Sequence, residues 1–129
     1  MKSVHALIID DNIRNIHVLA NLLADENITN SYITNAKQID SILQDSPEIN
    51  IIFLDLEMPG IDGYEVHKLL RSNPRFDGVP IVACTVHINE IHTASQVGFD
   101  SFLGKPLNPD NFSQHVSLIL QGEGVWVTS

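Results

Sequence analysis

Short apolar runs recur along the chain, and most stop at a residue that can do chemistry. Val4 to Ile9 ends at Asp10-Asp11, Ile51 to Leu54 at Asp55, Ile81 to Cys84 at Thr85, and the run begun at Ser101 at Lys105. A weaker run lies at 31–34. Runs of this length, rich in β-branched and aromatic residues and without alternation, predict strands buried on both faces, as in the middle of a parallel sheet. Between them the apolar spacing changes to that of helices. Ile16, Leu19, Leu22 and Leu23 form one stripe behind a capping Asn12, and Ala36, Ile39, Ile42 and Leu43 form a second that ends before Pro47. Asp62 with Glu65 resembles a capping box and starts a third helix over 63–72. Ile88, Ile91, Ala94 and Val97 give a fourth, with a thin stripe and a stop at Gly98. Asn108-Pro109 opens a fifth that runs to Leu120, with Gly122 as its stop. Residues 73–80 carry the turn formers of a loop.

Strand and helix therefore alternate five times, which predicts an α/β fold: one parallel sheet covered by helices on both faces. The 129 residues fit one domain over 1–121 and a tail over 122–129, with no repeat or linker between. Charge narrows the partners. Sixteen acids against seven Lys plus Arg give a formal charge of -9 with no basic cluster, which argues against direct contact with nucleic acid or an anionic membrane and leaves a basic protein surface easier to imagine. The first residues fit neither a signal peptide nor a membrane span, so the expected location is cytoplasmic. Cys84 has no partner for an internal disulfide, and the six histidines lack zinc-site spacing.

In an open parallel sheet, chemistry collects beyond the carboxyl ends of the strands. Here those ends would bring together Asp10, Asp11, Asp55, Thr85 and Lys105. Two carboxylates about 5 Å apart at an effective dielectric of about 20 repel by roughly 3 kcal/mol, so three acids beside one lysine call for a cation. Few, hard oxygen ligands favour Mg²⁺, which commonly takes one or two carboxylates and a phosphate. Lys105 and Thr85 suit phosphoryl oxygens, and Asp55 suits attack on phosphorus to give an acyl phosphate.

These residues carry a resemblance. Asp10-Asp11 after the first strand, Asp55-Leu-Glu-Met-Pro-Gly-Ile-Asp-Gly63, Thr85 and Lys105-Pro106 together resemble the receiver domain of two-component response regulators, over residues 3 to 121. The resemblance implies a flavodoxin-like (βα)5 fold with strand order 2-1-3-4-5. It implies Asp55 as phosphoacceptor, Asp11, Asp55 and the Glu57 backbone carbonyl as direct Mg²⁺ ligands, and Asp10 as a helper through water. Thr85 and Lys105 would hold the phosphoryl oxygens, and Phe102 matches the family's aromatic switch position. It implies a histidine kinase or histidine phosphotransfer protein as donor, and a downstream effector that reads the face made by the fourth helix, fifth strand and fifth helix. On that reading the domain is no enzyme beyond its own phosphorylation and dephosphorylation.

Blander readings stand beside these. Asp10 could be a helix cap, Thr85 a plain strand residue, Phe102 core filling, and Trp126 the cover of an apolar patch or part of a loose tail. A phosphorylation-independent docking module would keep the fold without needing all five polar positions. An aspartate-nucleophile phosphatase of the haloacid dehalogenase type wants Asp where this chain has Glu57, and a flavodoxin-like electron carrier wants a hydroxyl-rich phosphate loop after the first strand. Two features depart from the family's usual pattern. Val86, after the threonine, stands where a small residue is common and is expected to slow small phosphodonors. Glu57 and His87 could both lie over the site and tune hydrolysis of the acyl phosphate.

Overall fold

The computed structural model describes residues 3–39, 41 and 47–128. Its main sheet is wholly parallel and contains β1 (His5–Ile9), β2 (Thr29–Ile33), β3 (Ile51–Asp55), β6 (Ile81–Thr85), β7 (Ser101–Gly104) and β8 (Trp126–Val127), in the order β2-β1-β3-β6-β7-β8. A two-stranded antiparallel ribbon, β4 (Glu57–Met58) and β5 (Ile61–Asp62), follows β3. The α-helices described over their full length are α1 (Ile13–Asp25), α2 (Gly63–Arg71), α3 (Ile91–Val97) and α4 (Pro109–Leu120).

Side chains along each central strand alternate between two apolar clusters, as a pleated strand requires. Leu7, Ile9, Ile52, Leu54, Ala83 and Phe102 face Val66 and Leu70 of α2 and Ala94 of α3. Ala6, Ile8, Phe53, Val82, Cys84 and Leu103 face α1 and α4, where Leu23 and Phe112 are buried. The result is three layers, with the core split between the two faces of the sheet.

Capping follows the sequence closely. Asn12 accepts from the amides of Arg14 and Asn15, Asp62 from Tyr64, and Asn108 from Asp110. Gly98 and Gly122 hold φ of 112° and 91° where their helices end. The fourth predicted helix, expected to start at Ile88, opens as a 3-10 turn over Ile88–Glu90, and within α3 only Ala94 is buried. The second predicted helix is described only in part, as a 3-10 turn over Ala36–Gln38 followed by helical Ile39 and Ser41; Ile42 and Leu43 lie outside the described residues.

Between Asp55 and α2 the chain folds back as the β4–β5 ribbon, with Gly60 at φ 72° in its turn. One expectation needs correction. The sheet has six strands, not five. Residues after Gly122, expected to be a tail, return alongside β7 as β8, so the order 2-1-3-4-5 continues by one strand. Val125-Trp-Val127 is itself a β-branched and aromatic run, a strand signal that its short length and terminal position hid.

Candidate functional site

The sheet order puts β1, β3, β6 and β7 side by side, so the residues that close these strands share one rim. Asp10 and Asp55 are nearly sealed, at 4% and 5% exposure, while Asp11 is exposed. Their carboxylates, with that of Asp11, offer oxygens all within 4.8 Å of one another. Lys105, at the end of β7, reaches across: Nζ lies 2.9 Å from Asp10 Oδ2 and 3.5 Å from Asp55 Oδ1. Lys105, expected to hold a phosphoryl oxygen, is in this structure the internal counter-ion of the two buried acids.

Local turns fix the carboxylates. The Asn12 amide donates to Asp10 Oδ1 at 2.9 Å, and the Glu57 amide donates to Asp55 Oδ1 at 3.1 Å. Gly63 has a reason to be glycine, since a Cβ there would come within 2.8 Å of the Leu56 side chain and 2.9 Å of its Cα. That close approach lets α2 start directly beside the segment that follows Asp55.

Charge remains out of balance. Burial is the largest influence on Asp55 and pushes its carboxyl up to about 6; Lys105 pulls it back, Asp10 adds to the rise, and the Glu57 amide opposes it. Burial works against the Lys105 ammonium, but its hydrogen bond to Asp10 and the charges of Asp55 and Asp10 outweigh that and raise its pKa. One ammonium among three clustered carboxylates leaves a deficit of positive charge, and every donor is a hard oxygen. The donor set fits a divalent cation of the Mg²⁺ type.

A cleft of about 480 Å³ opens over this rim, lined by Asp11, Asn12, Asn15, Asp55, Glu57, Pro59, Val86, Lys105 and Pro106. Asp10 and Thr85 sit behind it. Thr85 is fully buried, and its Oγ1 accepts from the His87 amide at 3.0 Å; among the described residues its hydroxyl hydrogen has no acceptor. Val86, 60% exposed, stands at the cleft wall. Glu57 lines the cleft; His87 does not, and instead pairs with it, Nε2 to Oε2 at 3.6 Å. Beside them Tyr64 donates to Glu90 Oε1 at 3.0 Å. Burial raises the Glu90 carboxyl; its hydrogen bond to Tyr64 works the other way, and nearby Glu57 adds to the rise.

Phe102 is wholly buried in the core between the sheet and α2 and α3. Its ring already lies inside that core. Asn12, expected only to cap a helix, and Asn15 both line the cleft from the start of α1. Their signal was a pair of carboxamides within four residues of Asp11.

The comparisons agree with this geometry. A family model described as "Response regulator receiver domain" matches residues 6–117. A stress response regulator protein 1 from Candida tropicalis is 33% identical over 108 residues, covering 79% of this chain and 40% of that protein. Hybrid signal transduction histidine kinase A of Dictyostelium discoideum is 32% identical over 107 residues, 79% of this chain but 5% of that protein. The chain thus spans about two fifths or less of the length of these relatives. Among solved structures, a two-component response regulator from Clostridium difficile superposes with a TM-score of 0.79 at 26% identity, over 92% of this chain and 97% of that one.

Proposed function

The chain belongs to the response regulator receiver domain family, and from that membership we propose that Asp55 accepts a phosphoryl group and that its occupancy switches a protein-binding surface. The observation that supports this most is Asp55 itself, buried and short of positive charge, yet on the wall of an open cleft with the Lys105 ammonium 3.5 Å away. A merely structural aspartate would be expected to be fully paired.

The donor that fits is a phosphohistidine of a histidine kinase or phosphotransfer protein. An oxygen of ionised Asp55 attacks phosphorus in line. The P–N bond breaks, its electron pair stays on the imidazole nitrogen, and that nitrogen takes up a proton. Lys105 turns from the carboxylates to a transferring oxygen, and Thr85 donates its hydroxyl hydrogen to another. A Mg²⁺ ion held by Asp11, Asp55 and the Glu57 carbonyl, with Asp10 acting through water, would supply charge neutralisation in this transfer. The product is a changed protein surface rather than a released molecule, with α3, β7 and α4 as the face that an effector reads. We place the domain in the cytoplasm; among the described residues no helix is long and apolar enough to cross a membrane. The receiver is taken to span 1–121, with the segment that follows adding β8 to its sheet edge.

Incubation with acetyl phosphate and Mg²⁺, followed by mass spectrometry after peptide digestion, tests the reading. A single phosphoryl adduct on Asp55 is expected. An adduct elsewhere, or undiminished labelling in Asp55→Asn, would contradict it. The docking-module alternative predicts no adduct.

A further inference from the structure

The C-terminal segment is attached to the one strand that links the proposed acceptor site to the sheet edge. Phe102 donates its amide to the Val125 carbonyl at 2.8 Å, and the Val125 amide donates to the buried Ser101 hydroxyl at 2.9 Å. Phe102 then pairs with Trp126 and Leu103 with Val127. At the far end of β7 the fit tightens, because a Cβ on Gly104 would overlap the Thr128 carbonyl. Val125 is buried and Trp126 is 38% exposed, so the segment is seated, yet only lightly covered. It arrives through Gly122 and Gly124, and Gly122 takes a left-handed backbone conformation.

Gly104 is also held from the opposite side. It pairs with Thr85 across β6, and Lys105, the next residue, donates its amide to the Thr85 carbonyl at 2.8 Å. Any pull on Lys105 or Thr85 toward Asp55 therefore acts on Gly104. Asp55 ends β3, and the order β3-β6-β7-β8 makes that direction the one that leads away from β8. Close-packed elements do not deform smoothly, so a small shift at a contact with no room to spare is transmitted or breaks it.

We propose that segment 125–128 is a strap on β7 that responds to the acceptor site: loading Asp55 draws the Gly104–Lys105 end toward β3 and loosens the strap. This rests on the phosphoacceptor reading and adds a readout carried by the β7 backbone.

The test uses the full chain with Mg²⁺ and beryllofluoride, a phosphoryl mimic whose bound form fluorine NMR detects. Trp126 is the only tryptophan, so its emission reports the strap alone. Binding is expected to shift Trp126 emission, increase its quenching by acrylamide, and speed hydrogen exchange at the Val125 and Phe102 amides by about tenfold. Reciprocity sets a second expectation: Ser101→Ala, which removes a strap contact at the end of β7 remote from Asp55, should tighten beryllofluoride binding by about threefold. Gly104→Ala should expose Trp126 with no ligand present. Bound beryllofluoride with unchanged Trp126 emission and amide exchange would overturn the strap and leave the acceptor reading intact. Absence of bound beryllofluoride would overturn both.

Discussion

The two ends of β1 both bury polar groups, and they do so in opposite ways. At its start His5 is closed off. Its Nδ1 lies 2.6 Å from Thr29 Oγ1 and its Nε2 2.7 Å from Ser31 Oγ, while its backbone exchanges hydrogen bonds with Asn50. Thr29 Oγ1 also donates to the Val4 carbonyl at 3.4 Å, a pattern that suits a neutral ring with hydrogen on Nδ1. At the other end Asp10 meets Asp55 and Lys105 in a cluster with more negative than positive charge. Satisfied burial locks β2 to β1 and asks for nothing further. Unbalanced burial costs stability unless something else binds, and that is the mark of a working site.

Removing the central partner at the charged end should have the largest effect. Lys105→Ala leaves two buried carboxylates facing each other and should lower metal-free stability at pH 7 by on the order of 2–4 kcal/mol, read from urea unfolding. It should also abolish most phosphotransfer. At the closed end, His5→Ala should cost about 1–3 kcal/mol by emptying a buried site and removing the partner of the half-buried Ser31 hydroxyl, with phosphotransfer unchanged. Equal losses of phosphotransfer in the two variants would erase the distinction between the ends.

Acidity separates them further, with opposite signs. Asp55 is raised from 3.8 to about 6, so between those values the folded chain holds more protons than the unfolded one. Stability from this group is present below pH 3.8 and is lost as pH rises through 6. Asp55→Asn should therefore gain about 1–2 kcal/mol over wild type at pH 7 without metal, a figure kept small because water reaches the cleft, and the gain should vanish near pH 4. Burial lowers the pKa of His5 below 6.5. Its neutral form contributes stability that is present above pH 6.5 and is lost as pH falls toward the folded value. Unfolding curves across pH 4 to 7 for wild type, Asp55→Asn and His5→Ala should diverge in these two directions; parallel curves would contradict both assignments. The smallest expected effect is at the cleft wall, where Val86→Ala should speed acetyl phosphate labelling by about two- to fivefold; an unchanged rate would remove the steric role of Val86.

Most of the charged end was legible in the sequence because each of its residues closes an apolar run, and parallel strands align their ends. Asp55 after Ile51-Ile-Phe-Leu and Thr85 after Ile81-Val-Ala-Cys needed only that rule. Pairing within the cluster was not legible. Nothing local tells Lys105 to lie closer to Asp10 than to Asp55, since 95 residues separate the first pair. Phe102 was ambiguous because a strand residue shows its spacing and not its rotamer. The closed end escaped notice for a related reason. His5, Thr29 and Ser31 are unremarkable until β2 sets its register against β1. Likewise β8 depends on a partner strand more than 20 residues away, and its two residues carry too little periodicity to stand out.

The central claim is that the acids at this rim are tolerated because a divalent cation neutralises them when the site is working. Thermal unfolding at pH 7 with increasing Mg²⁺ tests it most directly, since a ligand that binds only the folded chain raises the midpoint in proportion to the logarithm of its concentration above Kd. Wild type should show that rise, weakening as pH falls through about 6 because Asp55 must lose its proton to bind metal. Asp55→Ala should show little of it. A midpoint that does not respond to Mg²⁺, or one that rises equally in wild type and Asp55→Ala, would contradict the claim.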